Sequence, residues 1–478
     1  MKYHIVQLGC QMNISDGERV QMVLDKMGFV PTEKAEEASL IGVIACSVRQ
    51  KGIDKVYNLV NVWNKWKNNK NLITFVSGCV LPSDKQKFLK LFDIVTTMSQ
   101  LPELPEMILQ YGVVSQVGIQ SQYPDLEKSV KENIGYPKFT EFKINPGRIS
   151  LSQKNIISKP EVGIEEFWNI EPKYGSGFEA YIPIQNGCDK FCTFCAVPYT
   201  RGREVSRPSD EIMNELKSLV NKGVKSITIL GQNVNSYGLD KKGNEISFSK
   251  LLEQIGEYGI ESGKTFWVYF TSPHPRDMSD EVIEVIAKYD CLAKQIHLPV
   301  QSGDDKVLIR MNRNHSMQKY RDIVNTIRRL IPQATLFTDV IVGFTGESSV
   351  EFENTRKIMK EFKYNMAYIA QYSPRPGATS SRWDDDIPKE EKKERYHQLT
   401  TELTKYSHEY NSGLIGKTIK VLVRGNDRKS DYLSAYTEGR IVARFASNDS
   451  NLVGKFVNIM ITSAAPLSIE GELVKHYD

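Results

Sequence analysis

Apolar positions change period several times along the chain, and each change marks an element. Lys2 to Gly9 alternates like a short strand that ends at Gly9-Cys10. Val20, Val23, Leu24 and Met27 then follow at helical spacing until Gly28, with Ser15 as the expected cap. Two further apolar runs, Leu40 to Ala45 and Leu72 to Ser77, each lead into a cysteine, Cys46 and Cys79. Strands alternating with helices predict an open parallel sheet, which places Cys10, Cys46 and Cys79 along one edge, where such folds gather their ligands.

From about Asp125 to Ser176 the periodicity is lost and Lys, Pro, Asn, Gly and Ser dominate, which predicts a connector with little core of its own. Strand-like runs resume at Ala180–Ile184 and recur at Ile227–Leu230, Phe266–Thr271, Gln295–Leu298, Leu336–Val342 and Met366–Ala370. Helical stretches separate them, the first with Ser209 as cap, an apolar stripe of Ile212, Leu216, Leu219 and Val220, and Gly223 as its stop. Six such strands with right-handed crossovers predict a partial or complete parallel barrel whose ligands sit at the strand C-terminal ends. A polar helix over Lys389–Tyr410 leads to Gly413, after which short runs at Lys417–Val423, Gly439–Phe445 and Lys455–Ile461 predict a small β-barrel or sandwich. The expected organisation is therefore α/β, with an open parallel-sheet domain over 1–125, a connector over 126–176, a barrel core over 177–410 and an all-β domain over 411–478.

Composition narrows the function classes. The 478 residues carry 62 Lys and Arg against 58 Asp and Glu, so any nucleic-acid contact must come from local patches rather than bulk charge. No apolar run reaches the ~18 residues that cross a bilayer, and the first residues lack the apolar core of a secretory leader, so a cytoplasmic protein without a membrane partner is expected. Seven cysteines are too few and too clustered for a disulfide framework, which leaves reduced thiols and metal ligation.

Cys188, Cys192 and Cys195 stand at i, i+4 and i+7 just after a strand. Three thiolates in one short loop suit three corners of a cubane iron–sulfur cluster with the fourth iron open to an outside ligand. A structural zinc site of three cysteines completed by a distant His is the competing reading. Cys10, Cys46 and Cys79, far apart in sequence, read on their own more readily as buried small apolar residues than as ligands. Cys291 fits no motif.

The Cys-x3-Cys-x2-Cys motif, with Phe194 before its last cysteine, resembles the signature of the radical S-adenosylmethionine enzymes. Gly9-Cys10-Gln11-Met12-Asn13, Cys46-Ser47-Val48-Arg49 and Gly78-Cys79 further resemble the N-terminal domain of the methylthiotransferases within that superfamily. Within the central domain, Val197-Pro198-Tyr199-Thr200-Arg201-Gly202-Arg203-Glu204, His297-Leu298-Pro299-Val300-Gln301-Ser302-Gly303 and Tyr372-Ser373-Pro374-Arg375-Pro376-Gly377 resemble the same family. Leu230-Gly231-Gln232-Asn233-Val234-Asn235 is similar to the form in the MiaB branch, which acts on N6-isopentenyladenosine at position 37 of tRNA. Ile44-Ala45 departs from the family's usual Asn-Thr, and Val80-Leu81 from its Ala-Gln.

The resemblance implies a partial (β/α)6 radical-SAM barrel and a C-terminal TRAM domain that binds RNA. It implies two [4Fe-4S] clusters, one on Cys188, Cys192 and Cys195 that binds S-adenosylmethionine, and an auxiliary one on Cys10, Cys46 and Cys79. It also implies the tRNA anticodon loop as substrate, an electron donor such as flavodoxin or ferredoxin, and a monomer. The neighbouring substrates are threonylcarbamoyl-adenosine in tRNA and a ribosomal-protein aspartate; a non-catalytic metal-cluster RNA-binding protein is the alternative of another class. The cofactors carry the hard chemistry, so no protein acid or base is expected.

At the predicted catalytic rim, Gly231, Gln232, Asn233, Gln301 and Ser302 are candidates for the polar parts of S-adenosylmethionine, with Phe194 against its nucleoside; local turn hydrogen bonds are the competing role. Asp339 reads as a ligand contact or half of a packed pair. Arg201, Arg203 and Arg207, and in the last domain Arg424, Arg428, Lys429, Arg440 and Arg444 with Tyr432 and Tyr436, are candidates for phosphate and base contacts, or a solvated face.

Overall fold

The computed structural model describes residues 1–47, 50–111 and 163–474. Two compact units emerge. The first comprises Met1–Gly175 with the segments Ala196–Arg203 and Arg375–Gly377; the second holds Ser176–Cys195, Glu204–Pro374 and Ala378–Asp478.

The first unit is built on five parallel strands, β1 (Lys2–Gln7), β2 (Val30–Pro31), β3 (Leu40–Cys46), β4 (Ile73–Cys79) and β5 (Ile94–Val95), in the order β2-β1-β3-β4-β5. Every residue of β3 is buried, as expected of a strand covered on both faces. The helix Gln50–Trp66 buries Ile53, Val56, Val60 and Trp63 against β3 and β4 in one core with Val43, Val76 and Phe88. Ser15 does not cap the first helix, which runs from Gln11 to Lys26 with Cys10 at its N-cap; Ser15 is buried inside it and its hydroxyl accepts from Arg19. The expected coreless connector lies partly outside the described residues, but its last part is ordered: the helix Ile164–Trp168 buries Phe167 and Trp168.

In the second unit, β6 (Glu179–Pro183) is followed by a short antiparallel pair, β7 (Gln185–Asn186) and β8 (Val205–Ser206). Parallel strands β9 (Ser226–Leu230), β10 (Trp267–Phe270), β11 (Gln295–His297), β12 (Thr335–Val342) and β13 (Met366–Gln371) continue the alternation with helices. They form two three-stranded halves, β10-β9-β6 and β11-β12-β13, joined by a single parallel bridge from Val268 to Leu292. Ser209 is the first residue of its helix rather than the cap, which is Pro208, while Gly223 at φ +93° ends that helix as predicted.

The C-terminal strands β14 (Thr418–Asn426), β15 (Tyr432–Thr437), β16 (Val442–Ala446), β17 (Phe456–Ala465) and β18 (Ser468–Leu473) close a five-stranded barrel. Val421, Val423, Leu433, Ala435, Phe445 and Ile459 fill it, alternating with outward polar residues. Two of its strands escape the sequence pattern because Tyr432–Thr437 and Ser468–Leu473 carry Tyr, Ser and Glu at the outward positions and place Thr437 and Gly471 among the inward ones.

Candidate active site

Strand register brings the first three cysteines to one edge. Cys46 and Cys79 end neighbouring parallel strands and are directly paired in register, and Cys10 follows β1, the strand on the other side of β3. Two glycines make the approach possible. Gly9 has φ +114°, and a Cβ there would sit 2.7 Å from the Cys46 Cβ; Gly78 has φ +100°, and a Cβ there would sit 2.5 Å from the Ala45 carbonyl oxygen. Asn13 on the helix donates to the carbonyls of Leu8 (2.6 Å) and Ala45 (2.7 Å), supplying a polar side chain where Ile44-Ala45 offers none.

Burial pushes the Cys79 thiol up to about 12, and the Arg201 guanidinium opposes that. Arg201 Nε donates to Cys79 Sγ at 2.9 Å, and its Nη2 pairs with Asp16. Burial disfavours the Arg201 charge, but Asp16 and Cys79 more than offset it and hold the guanidinium above its ordinary value. Arg201 is therefore an internal cation instead of a phosphate contact. Arg207 is likewise buried, bonded to Glu211 and Glu215, and only Arg203 of the three is exposed.

The second cysteine set lies in the loop between β7 and β8. Phe191 takes φ +47° there, and the Cys195 N–H donates to the Cys192 carbonyl, so three thiols share one tight loop. Arg313 Nη1 lies 3.5 Å from Cys192 Sγ, and burial pushes the Cys188 thiol up to about 11. Phe194 stacks edge-on with Phe344 at 6.5 Å, next to Tyr372.

Beside this loop lies a network of buried polar groups that the sequence reading largely missed. Lys190 is buried and paired with Asp277 at 2.7 Å, and Asn233 Nδ2 reaches both Ser236 (2.8 Å) and Asp277 (3.1 Å). Gln185 donates to the same Ser236 hydroxyl. Burial pushes the Glu204 carboxyl up to about 7, against Ser236 and Lys190. Burial, with Arg313 and His315 close by, holds His274 well below its ordinary value, and His315 falls to about 4 for similar reasons. One buried atom each of Gln185, Glu204, Gln232, Asn233, His274 and His315 has no hydrogen-bond partner. So many orphaned polar atoms in one place are costly unless a polar ligand satisfies them.

Gly231 closes β9, where a Cβ would meet Val234 and Gln185 at 3.1 and 3.2 Å. Gln301 has φ +70° and its backbone pairs with Asp339 and Ile341. Ser302 is fully buried, sharing its hydroxyl with Thr355 and accepting from the Asp304 N–H. Asp339 pairs with His297 Nε2 at 2.6 Å, with the half-exposed Tyr368 ring 5.7 Å from His297. In the barrel, Arg424 pairs with Glu179, Arg440 donates to Thr228 over the Tyr269 ring, and Lys429 and Tyr432 both meet Glu470. Arg428 remains exposed.

Known proteins match this chain over nearly its whole length. A family model described as the radical SAM superfamily matches residues 182–359, and one described as uncharacterized protein family UPF0004 matches residues 2–99. A tRNA-2-methylthio-N(6)-dimethylallyladenosine synthase from Clostridium botulinum strain Langeland is 34% identical over 475 residues, 98% of this chain and 96% of its own. The enzyme of that name from Dictyoglomus thermophilum is 35% identical over 483 residues, covering 100% and 99%. The chain belongs to the tRNA-2-methylthio-N(6)-dimethylallyladenosine synthase family. It is accordingly a radical SAM tRNA methylthiotransferase, a class that uses S-adenosylmethionine and a [4Fe-4S] cluster. Among solved structures, the radical S-adenosylmethionine methyltransferase TsrM from Kitasatospora setae, with tryptophan and a SAM analogue bound, shares the fold at TM-score 0.51 and 10% identity, over 89% of this chain and 79% of that one.

The donor chemistry of this synthase-family chain fits both groups. Each cysteine set offers three thiols beside a buried guanidinium, Arg201 or Arg313, and the orphaned polar atoms near the second set fit a zwitterionic ligand. Among the described residues no three His, Cys, Asp or Glu side chains are gathered tightly enough to hold a metal ion, and Cys79 and Cys192 each lie against one of those guanidinium groups. No described helix is long and apolar enough to cross a membrane.

Proposed function

We propose that this chain replaces the C2 hydrogen of N6-isopentenyladenosine at position 37 of tRNA with a methylthio group. Full-length identity to synthases of that name is the observation that carries the reading. Cys188, Cys192 and Cys195 would hold one [4Fe-4S] cluster with S-adenosylmethionine, and Cys10, Cys46 and Cys79 a second. Together these groups supply one-electron chemistry able to break a C–H bond that no base can deprotonate, and the sulfur to be inserted.

The chain's own residues bind, orient and exclude water. Glu204, Gln185, Gln232 and Asn233 present orphaned polar atoms to the cofactor, and Lys190, paired with Asp277, fixes the charge beside them. Phe194, backed by Phe344 and Tyr372, gives the nucleoside an aromatic wall. Gly231 and Gln301 shape the rim through backbone. The domains run over 1–125, 126–176, 177–410 and 411–478, with the C-terminal barrel acting as a TRAM domain whose exposed Arg428 meets RNA phosphate. A flavodoxin or ferredoxin supplies electrons, and the enzyme works as a cytoplasmic monomer.

Nucleoside mass spectrometry of tRNA from cells lacking the gene tests this reading. Loss of 2-methylthio-N6-isopentenyladenosine with build-up of its unthiolated precursor is expected. An unchanged profile would refute the substrate and direct the search to threonylcarbamoyl-adenosine.

A further inference from the structure

Arg201 carries the strongest uncommitted observation. Its side chain is 5% exposed and its partner Asp16 1%, a buried ion pair in the first unit. The guanidinium is bonded on two edges: Nε donates to Cys79 Sγ at 2.9 Å, while Nη2 donates to Asn13 Oδ1 at 3.2 Å and to Asp16. Asn13 and Asp16 lie three residues apart on one face of the helix Gln11–Lys26, and Asn13 also ties Leu8 and Ala45, the residues before Gly9 and Cys46. Arg375, in the other inserted segment of this unit, bonds to Gln50 at 3.0 Å.

A buried ion pair is expensive to desolvate and is weak evidence for a purely stabilising role. Hydrogen bonds and charge next to cluster sulfur, by contrast, tune its reduction potential. We infer that Arg201, oriented by Asp16 and Asn13, is a positioning residue that balances the thiolate charge at Cys79 and sets the reduction potential of the cluster held there. The inference rests on the reading of Cys10, Cys46 and Cys79 as cluster ligands. Arg201 acts through Cys79, and Asp16 limits the effect by neutralising part of the guanidinium charge.

The test uses the full-length chain with Cys188, Cys192 and Cys195 replaced by Ala, reconstituted anaerobically with iron and sulfide, so that iron and EPR report on the other set alone. Arg201→Met should shift the midpoint potential to more negative values, because an uncompensated negative site resists a further electron. Arg201→Lys should restore part of the shift. Asp16→Asn should move it the opposite way, since the freed guanidinium then favours the reduced cluster. A residue that merely supports the fold would lower cluster yield in both variants without shifts of opposite sign. Equal potentials in Arg201→Met, Asp16→Asn and their parent would overturn the inference, and Asp16→Asn alone decides it should Arg201→Met fail to fold. A parent without iron would overturn the ligand reading itself, a separate result.

Discussion

Cys188, Cys192 and Cys195 fall within one loop of the second unit, whereas Cys10, Cys46 and Cys79 come from the ends of three strands of the first. The loop set is local: its spacing survives any rearrangement of distant elements. The strand-end set exists only when β1, β3 and β4 pair in register, with glycine at positions 9 and 78 to let the backbones approach. Both sets place a buried arginine against one thiol, Arg313 at Cys192 and Arg201 at Cys79. Similar local chemistry is thus reached once by sequence proximity and once by topology, and the two should fail differently.

Replacing Cys188, Cys192 and Cys195 by Ala gives the largest effect. Reductive cleavage of S-adenosylmethionine should fall about a thousandfold or more, as expected when the group that supplies the chemistry is lost, while roughly half the iron remains. Chromatography of the cleavage products checks the first and iron analysis the second; retained cleavage would dissolve the distinction between the sets.

Gly78→Val strikes the strand-end set through the fold. A β-branched side chain at φ +100° with its Cβ 2.5 Å from the Ala45 oxygen should cost the first unit about 1–3 kcal/mol or more. Urea unfolding should show that loss, iron should fall by about half, and S-adenosylmethionine cleavage should persist. Equal damage to both functions would mean that the sets are not independent.

This asymmetry also explains what the sequence alone reveals. The loop set, the six parallel strands and the polar helix over 389–410 follow from local spacing and period. The network of Lys190, Glu204, His274, Arg313 and His315 does not, because its members are brought together by packing. Arg201 and Arg207 read as phosphate contacts or a solvated face, since their own neighbourhood in sequence does not show that Asp16 and Glu215 pair with them inside the fold. The barrel strands Tyr432–Thr437 and Ser468–Leu473 were hidden by polar outward positions.

Smaller effects sharpen the comparison. The Glu204 carboxyl, held up at about 7 mainly by burial, favours folding while protonated. That contribution is fully present below its ordinary value near 4.5 and is lost as pH rises through about 7, so raising pH from 6 to 8 should destabilise the second unit by on the order of 1 kcal/mol. Glu204→Gln should flatten this dependence in thermal melts; an unchanged slope would place the titration elsewhere. Smallest of all, Arg428→Ala on the exposed barrel surface should weaken tRNA binding severalfold and reduce the salt slope by about one, measured by titration at several salt concentrations.

Iron and sulfide analysis, with Mössbauer spectra, of the wild-type chain and of the two triple cysteine-to-alanine variants tests the central claim most directly. About eight irons in the wild type and about four in each variant, all in cubane clusters, is the predicted result. A Cys10, Cys46 and Cys79 variant that keeps the full wild-type iron would contradict it.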